Sequence, residues 1–292
     1  MNSSRLTMAA LGAALLIGGS SCGKLKDAAG GKVPGGVPST SLDPNACGGF
    51  SAGGEVGHKI HAFLEATQEL DKVAAETADV IKNSCAIMGK DLGMSEADLG
   101  GETEAVCGKV INTIQQNLQV SVKSKAALKI VAKPAECKAD LDVQAKAAAD
   151  CEGKADVGPG GSKASGECRA AGSIKVAAAV QCTPPQFSIE ADAKMVVDKT
   201  KLDATIKALQ DGIPKILDVK GRVEPLKTAV EQWAASVIAL KDAGSQLTDA
   251  FKDQALCVGS QIGFAANMVG HVKANVSVSV SVSASASGTV GG

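Results

Sequence analysis

Tyrosine is missing from this 292-residue chain, and its other aromatics are five phenylalanines and one tryptophan. Aromatic faces are what sugar-binding clefts stack against and what outer-membrane barrels carry as interfacial girdles, so both classes are disfavoured. A strong charge of one sign is missing too. The formal net charge of −1 leaves no basic footprint for nucleic acid. Histidine occurs three times and Cys-x-x-Cys spacing not at all, which removes the common zinc frameworks. No Gly-x-Ser-x-Gly elbow, phosphate loop or dinucleotide fingerprint appears, and Gly100-Gly101 and Gly158 to Gly161 follow no strand–helix phosphate pattern. No segment past the N-terminus approaches the roughly 20 apolar residues that a membrane-spanning helix needs.

What is present begins with an address. Arg5 is the single charge ahead of an apolar run from Met8 to Ile17, and Gly19-Ser20-Ser21-Cys22 follows. That is the shape of a secretory signal ending in a lipobox-like site: small residues admit a peptidase, and the Cys22 thiol takes a diacylglycerol. The expectation is a signal peptide over 1–21 and lipidation at Cys22. Simple cleavage with release and a retained anchor are the competing outcomes. Gly23 in place of an aspartate after Cys22 points to outer-membrane retention, facing the periplasm or the cell surface. Residues 22–54, broken by Gly30-Gly31, Pro34-Gly35-Gly36 and Pro38, read as a flexible tether, and 55–292 as one domain.

Beyond Cys22 stand eight cysteines: Cys47, Cys85, Cys107, Cys137, Cys151, Cys168, Cys182 and Cys257. An even count in an exported chain implies structural bridges, although eight cysteines allow about 105 connectivities. The low aromatic content makes such staples useful, because small side chains each bury little area at roughly 25 cal/mol per Å².

Hydrophobic periodicity divides the chain. Ile60, Phe63, Leu64, Leu70, Val73, Ala74, Val80 and Ile81 recur at helical steps, and a shorter helix is expected from Glu104 to Leu118. From Leu118 the period changes to two. Cys137, Ala139, Leu141, Val143, Ala145, Ala147, Ala149 and Cys151 share one face of an expected strand, and Cys168 through Cys182 alternate in the same way. A further strand is expected from Phe187 to Val197. Alanine favours helix, but the length of the alternation argues for strands. Helical spacing returns from Leu202 to Leu240, where Pro214 and Pro225 should kink or divide it. A last helix is expected from Ser245 to about Val269, and the Val-Ser run from Val276 to Val282 reads as a final strand or a sticky disordered end.

The two cysteine-bounded runs carry a register. In an antiparallel pair, opposed residue numbers add to a constant, and Cys137–Cys182 and Cys151–Cys168 share one constant. One hairpin therefore aligns both pairs, whereas two cysteines fourteen residues apart on one strand would stand about 46 Å apart. The rival is a duplication, Glu136-Cys137-Lys138-Ala139 against Glu167-Cys168-Arg169-Ala170, pairing Cys137 with Cys168 in parallel. That arrangement needs a crossover, and the intervening Gly158-Pro159-Gly160-Gly161 does not provide one. The expected bridges are Cys137–Cys182 and Cys151–Cys168, together with Cys85–Cys107 and Cys47–Cys257.

Candidate chemistry is thin. His58, His61 and Glu65 fall on one helix at a spacing able to hold a divalent cation, with His271 far off in sequence, but exposed polar positions on an amphipathic helix account for them better. Asp140 and Asp142 share a strand face as paired carboxylates do, or as a solvated face does. No catalytic residue, metal or cofactor is expected.

The lipobox-like start, Cys85-x5-Asp91-Leu92-Gly93 with Cys107 after it, the cysteine-bounded Ala/Val/Lys runs and the Val-Ser tail resemble cysteine-containing envelope lipoproteins of myxobacterial type. The resemblance implies an envelope address and brings no activity. The expectation is an α+β fold, with helices from both chain ends covering an antiparallel sheet of about four or five strands. The leading function is a non-catalytic structural or interaction lipoprotein, held to the membrane by its lipid and facing an envelope protein partner. A small apolar ligand or lipid carrier and a membrane-active oligomer of inserting strands are the alternatives.

Overall fold

The computed structural model describes residues 41–154 and 157–291. The expected signal peptide, Cys22 and most of the expected tether lie outside the described residues.

Helix, at 78% against 7% strand, dominates the structure. Short turns α1 (Ala46–Gly49) and α3 (Glu96–Leu99) accompany the long helices α2 (Gly54–Asp91), α4 (Thr103–Ser121), α7 (Lys199–Asp242) and α9 (Ala255–Gly291), with α8 (Gly244–Phe251) ahead of the last. Between α4 and α7 the chain makes an excursion: β1 (Leu128–Lys133), β2 (Cys137–Lys138), α5 (Leu141–Glu152), α6 (Gly166–Ala179), β3 (Gln181–Cys182) and β4 (Gln186–Ala191). The α+β expectation is thereby corrected. Among the described residues the sheets are two ribbons of two strands each, β1 with β4 and β2 with β3.

The bundle follows from apolar stripes. On α2, Ile60, Phe63, Leu64, Leu70, Ala74, Ile81, Cys85 and Met88 are buried at three- and four-residue steps. The α7 stripe runs from Leu202 through Leu209, Ile216, Leu226 and Trp233 to Leu240. One core joins Phe63 and Leu70 of α2 to Leu226–Leu240 of α7, the first half of α9 and the inner face of α6. The other joins Ile81–Met88 to Val106–Ile114 of α4, Leu209–Val223 of α7, and Val282 and Ala286 of α9. The order of residues through these cores makes α2 and α9 run the same way and α7 the opposite way. Trp233 is fully buried, and its indole N–H donates to Thr67 Oγ1 at 2.9 Å while that hydroxyl donates to the Phe63 carbonyl. Gly212 permits the close approach of α7 to α2, since a Cβ there would lie 2.2 Å from Met88 Cγ.

Pro214 and Pro225 do not divide α7, which is helical through both. Each proline leaves one carbonyl a turn earlier without its usual donor. Those carbonyls are on Gln210 and Gly221; between the prolines, the Leu217 carbonyl accepts the Ala135 amide at 3.1 Å, where the excursion crosses α7.

The cysteine-bounded runs are helices rather than strands. Asp140 caps α5, its Oδ1 accepting the amides of Asp142 at 2.9 Å and Val143 at 3.2 Å, and Gly153 ends the helix in the left-handed region. Between those caps, Ala, Lys and Gln favour helix. α6 buries Cys168, Ala170, Ala171, Gly172, Ser173, Ile174, Val176 and Ala177, so nearly every side of it is covered and its burial shows no clean period. The Val-Ser tail, expected as strand, is the C-terminal part of α9. There Val276, Ser279, Val282, Ser283 and Ala286 face inward at helical steps.

Candidate functional site

Four bridges are formed: Cys47–Cys257, Cys85–Cys107, Cys137–Cys182 and Cys151–Cys168. These are the pairs named from the sequence, yet the hairpin behind two of them differs from the one envisaged. Cys151 and Cys168 join helices α5 and α6, while Cys137 and Cys182 sit opposite one another in the β2–β3 ribbon. The constant that relates Cys137 to Cys182 also relates Leu128 to Ala191 and Lys133 to Gln186 across β1 and β4. The excursion is thus one long antiparallel hairpin that changes from strand to helix and back on both arms at matching positions.

This hairpin carries a cleft of about 750 Å³, open to solvent, between the start of α5 and the end of α6. Glu136, Lys138 and Asp140 rim it beside Leu141 and Val176, with Cys182 in its wall. Leu141 is 54% exposed there. A second open cleft of about 590 Å³ lies between α2 and α9, where His271 Nδ1 stands 3.5 Å from Asp71 Oδ1 beside Leu42, Phe264 and Met268. A third, of about 490 Å³, separates Ile111 and Gln115 of α4 from Ser281 and Val282 of α9.

The residues singled out for chemistry are spread apart. His58 meets the Asp150 carbonyl at 2.9 Å and so ties α2 to α5, while His61 lies 3.8 Å from Glu65 and against the Phe50 ring. Among the described residues no three His, Cys, Asp or Glu side chains converge as a metal site would require. Asp140 is a helix cap and Asp142 an exposed first-turn residue, which replaces their reading as partners on one strand face.

Sequence reasoning missed the polar joints under the hairpin. Glu152 is only 7% exposed, with Lys59 Nζ at 3.0 Å and the Ser165 amide at 2.5 Å. Burial by itself pushes this carboxyl up, but hydrogen bonds from Ser165 and the Lys59 ammonium outweigh it and bring the pKa down to about 2. Glu152 in turn raises Lys59 above the ordinary lysine value, and Lys59 and Lys154 lower Glu55. A second joint runs from Gln144 through the Ser173 hydroxyl to Gln232, at 2.8 and 2.5 Å. Neither has a local signal, since the partners lie 29 and 59 residues apart in the second joint alone.

No family model matches this chain, and comparison with curated proteins and with solved structures gave no match. No helix among the described residues is long and apolar enough to cross a membrane.

Proposed function

We propose that this chain is a non-catalytic, lipid-anchored structural or interaction protein of the bacterial outer envelope. The observation that carries the reading is the use of the cysteines. Eight of the nine are consumed in four bridges, which suits an oxidising compartment, and the ninth, Cys22, stands at the end of the small-residue run after the apolar segment. The partners of such a protein are the membrane, through its lipid, and another envelope protein, with no nucleic acid and no cofactor involved. The described clefts fit this better than a carrier, because they are open, whereas ligand pockets bury most of a ligand's surface. The alternating strands on which an inserting oligomer would depend are helices.

The test is metabolic labelling with a fatty-acid analogue, followed by fractionation of the envelope. Label on the wild-type chain in the outer-membrane fraction, absent from Cys22→Ala, is the expected result. Label that persists in the Cys22→Ala protein, or a wild-type chain recovered unlabelled, overturns the anchor.

A further inference from the structure

Four observations on α9 point the same way. First, Gly259, Gly263 and Gly270 lie within the helix, and a Cβ added at any of them would meet nothing within 4 Å. Each weakens the helix by about 1 kcal/mol relative to alanine and serves no close approach, unlike Gly212 in α7. Second, the last turns bury Ser279 and Ser283 while leaving Val280 37% exposed, so helical packing covers hydroxyls and exposes a valine. Both hydroxyls turn back on their own helix, to Asn275 and Val280 carbonyls. Third, valine is a weak helix former that fits a pleated surface. Fourth, residues 274–292 hold no charge and no proline, and from Val276 to Ala286 valine or alanine alternates strictly with serine. In extended form that segment would place every serine on one side and every valine and alanine on the other, the composition of a self-pairing strand.

We propose that residues 276–286 are a sequestered self-association segment: helical while packed in the bundle, and on release pairing edge to edge with the same segment of a second copy of this chain. The segment is no strand of the fold described above. Its partner chemistry is its own uncharged Val-Ser sequence. The bundle acts as the guard, since local opening of a weak terminal helix requires less free energy than unfolding α2 or α7. This inference is independent of the lipid anchor and is tested without it.

The experiment uses the full chain with its four bridges intact, incubated below its main unfolding transition, with thioflavin-T fluorescence, the infrared band of intermolecular β-sheet and particle size as readouts. Amide hydrogen exchange on the same sample reports opening of 276–286. The triple variant Ser277→Ala, Val280→Ala, Ser281→Ala changes only exposed positions, raises helix propensity and breaks the alternation. Gly263→Ala with Gly270→Ala strengthens the helix and leaves the alternation intact. We expect wild type to open early and form β-assemblies, the triple variant to form none, and the glycine variant to form the same assemblies about tenfold more slowly. Assembly of the triple variant at the wild-type rate, or a wild type whose tail opens early yet remains monomeric, overturns the proposal.

Discussion

Residues 137–151, 168–182 and 276–286 carry the same kind of pattern, a small or apolar residue at every second position, and each folds mostly as helix, but the first two are held in place by different means from the third. The α5–α6 hairpin is bridged at both ends, capped by Asp140 and Gly153, and joined to α2 through Glu152 and Lys59. It is also closely fitted: a Cβ at Gly172 would lie 2.8 Å from the Gln144 carbonyl. The tail of α9 has no bridge and no charged residue, and the helix leading into it carries Gly259, Gly263 and Gly270, where a Cβ would meet nothing within 4 Å. The difference teaches that alternation alone says little about conformation when the residues are small. The surroundings decide, by caps and covalent bonds in one case and by packing alone in the other.

The comparison breaks most sharply if the hairpin loses its covalent support. Replacing Cys151 and Cys168 together by alanine opens a bridge across 17 residues and should lower stability by about 3 kcal/mol on the chain-entropy estimate, read as a fall in the thermal midpoint. A variant that unfolds at the wild-type temperature would show that packing and caps suffice there too. Next in size is a glycine exchange between the two regions. Gly172→Val forces a side chain into the Gln144 carbonyl and should cost about 1–3 kcal/mol, whereas Gly263→Ala in α9 should stabilise by about 0.5–1 kcal/mol. Denaturant midpoints that move the same way for both would remove the distinction.

The last effect is confined to acid. The carboxyl of Glu152 titrates at about 2 in the fold, below the roughly 4.3 of an unfolded glutamate. Its contribution is therefore fully present above the unfolded value and is lost as pH falls towards the folded one. Stability measured from about pH 5 to about pH 2 should decline less steeply in Glu152→Gln than in wild type, with His58 and the bridges unchanged. Parallel curves would place the joint outside the acid transition.

The sequence's legible part is the part with large side chains. The stripes from Ile60 to Ile81 and from Leu202 to Leu240 define helices α2 and α7 because burying leucine, isoleucine and tryptophan leaves one workable period. The cysteine pairing was legible as well, for a reason that does not depend on strands. Any antiparallel hairpin preserves a constant sum of opposed positions at its two ends, provided both arms change conformation at matching places, as β2–α5 and α6–β3 do. What misled was α6, which is covered on nearly all sides, and the Val-Ser tail, where local preference for strand loses to burial of Val276 and Val282 against the bundle. Of the candidate chemistry, His58 lay in a genuine contact, but with the Asp150 carbonyl rather than with His61.

The bridge between Cys47 and Cys257, 210 residues apart, also sets how the molecule bears force. Tension applied between a point before position 47 and a point after 257 passes through one sulfur–sulfur bond. The chain between, with α2, α4, the hairpin, α7 and α8, hangs in the closed loop and carries none of it. For a chain held at its N-terminal end, a pull on α9 can strip that helix from the bundle without drawing on the backbone of the others. The load path thus runs through that bond and into α9, and the folded mass of the loop is slung from it.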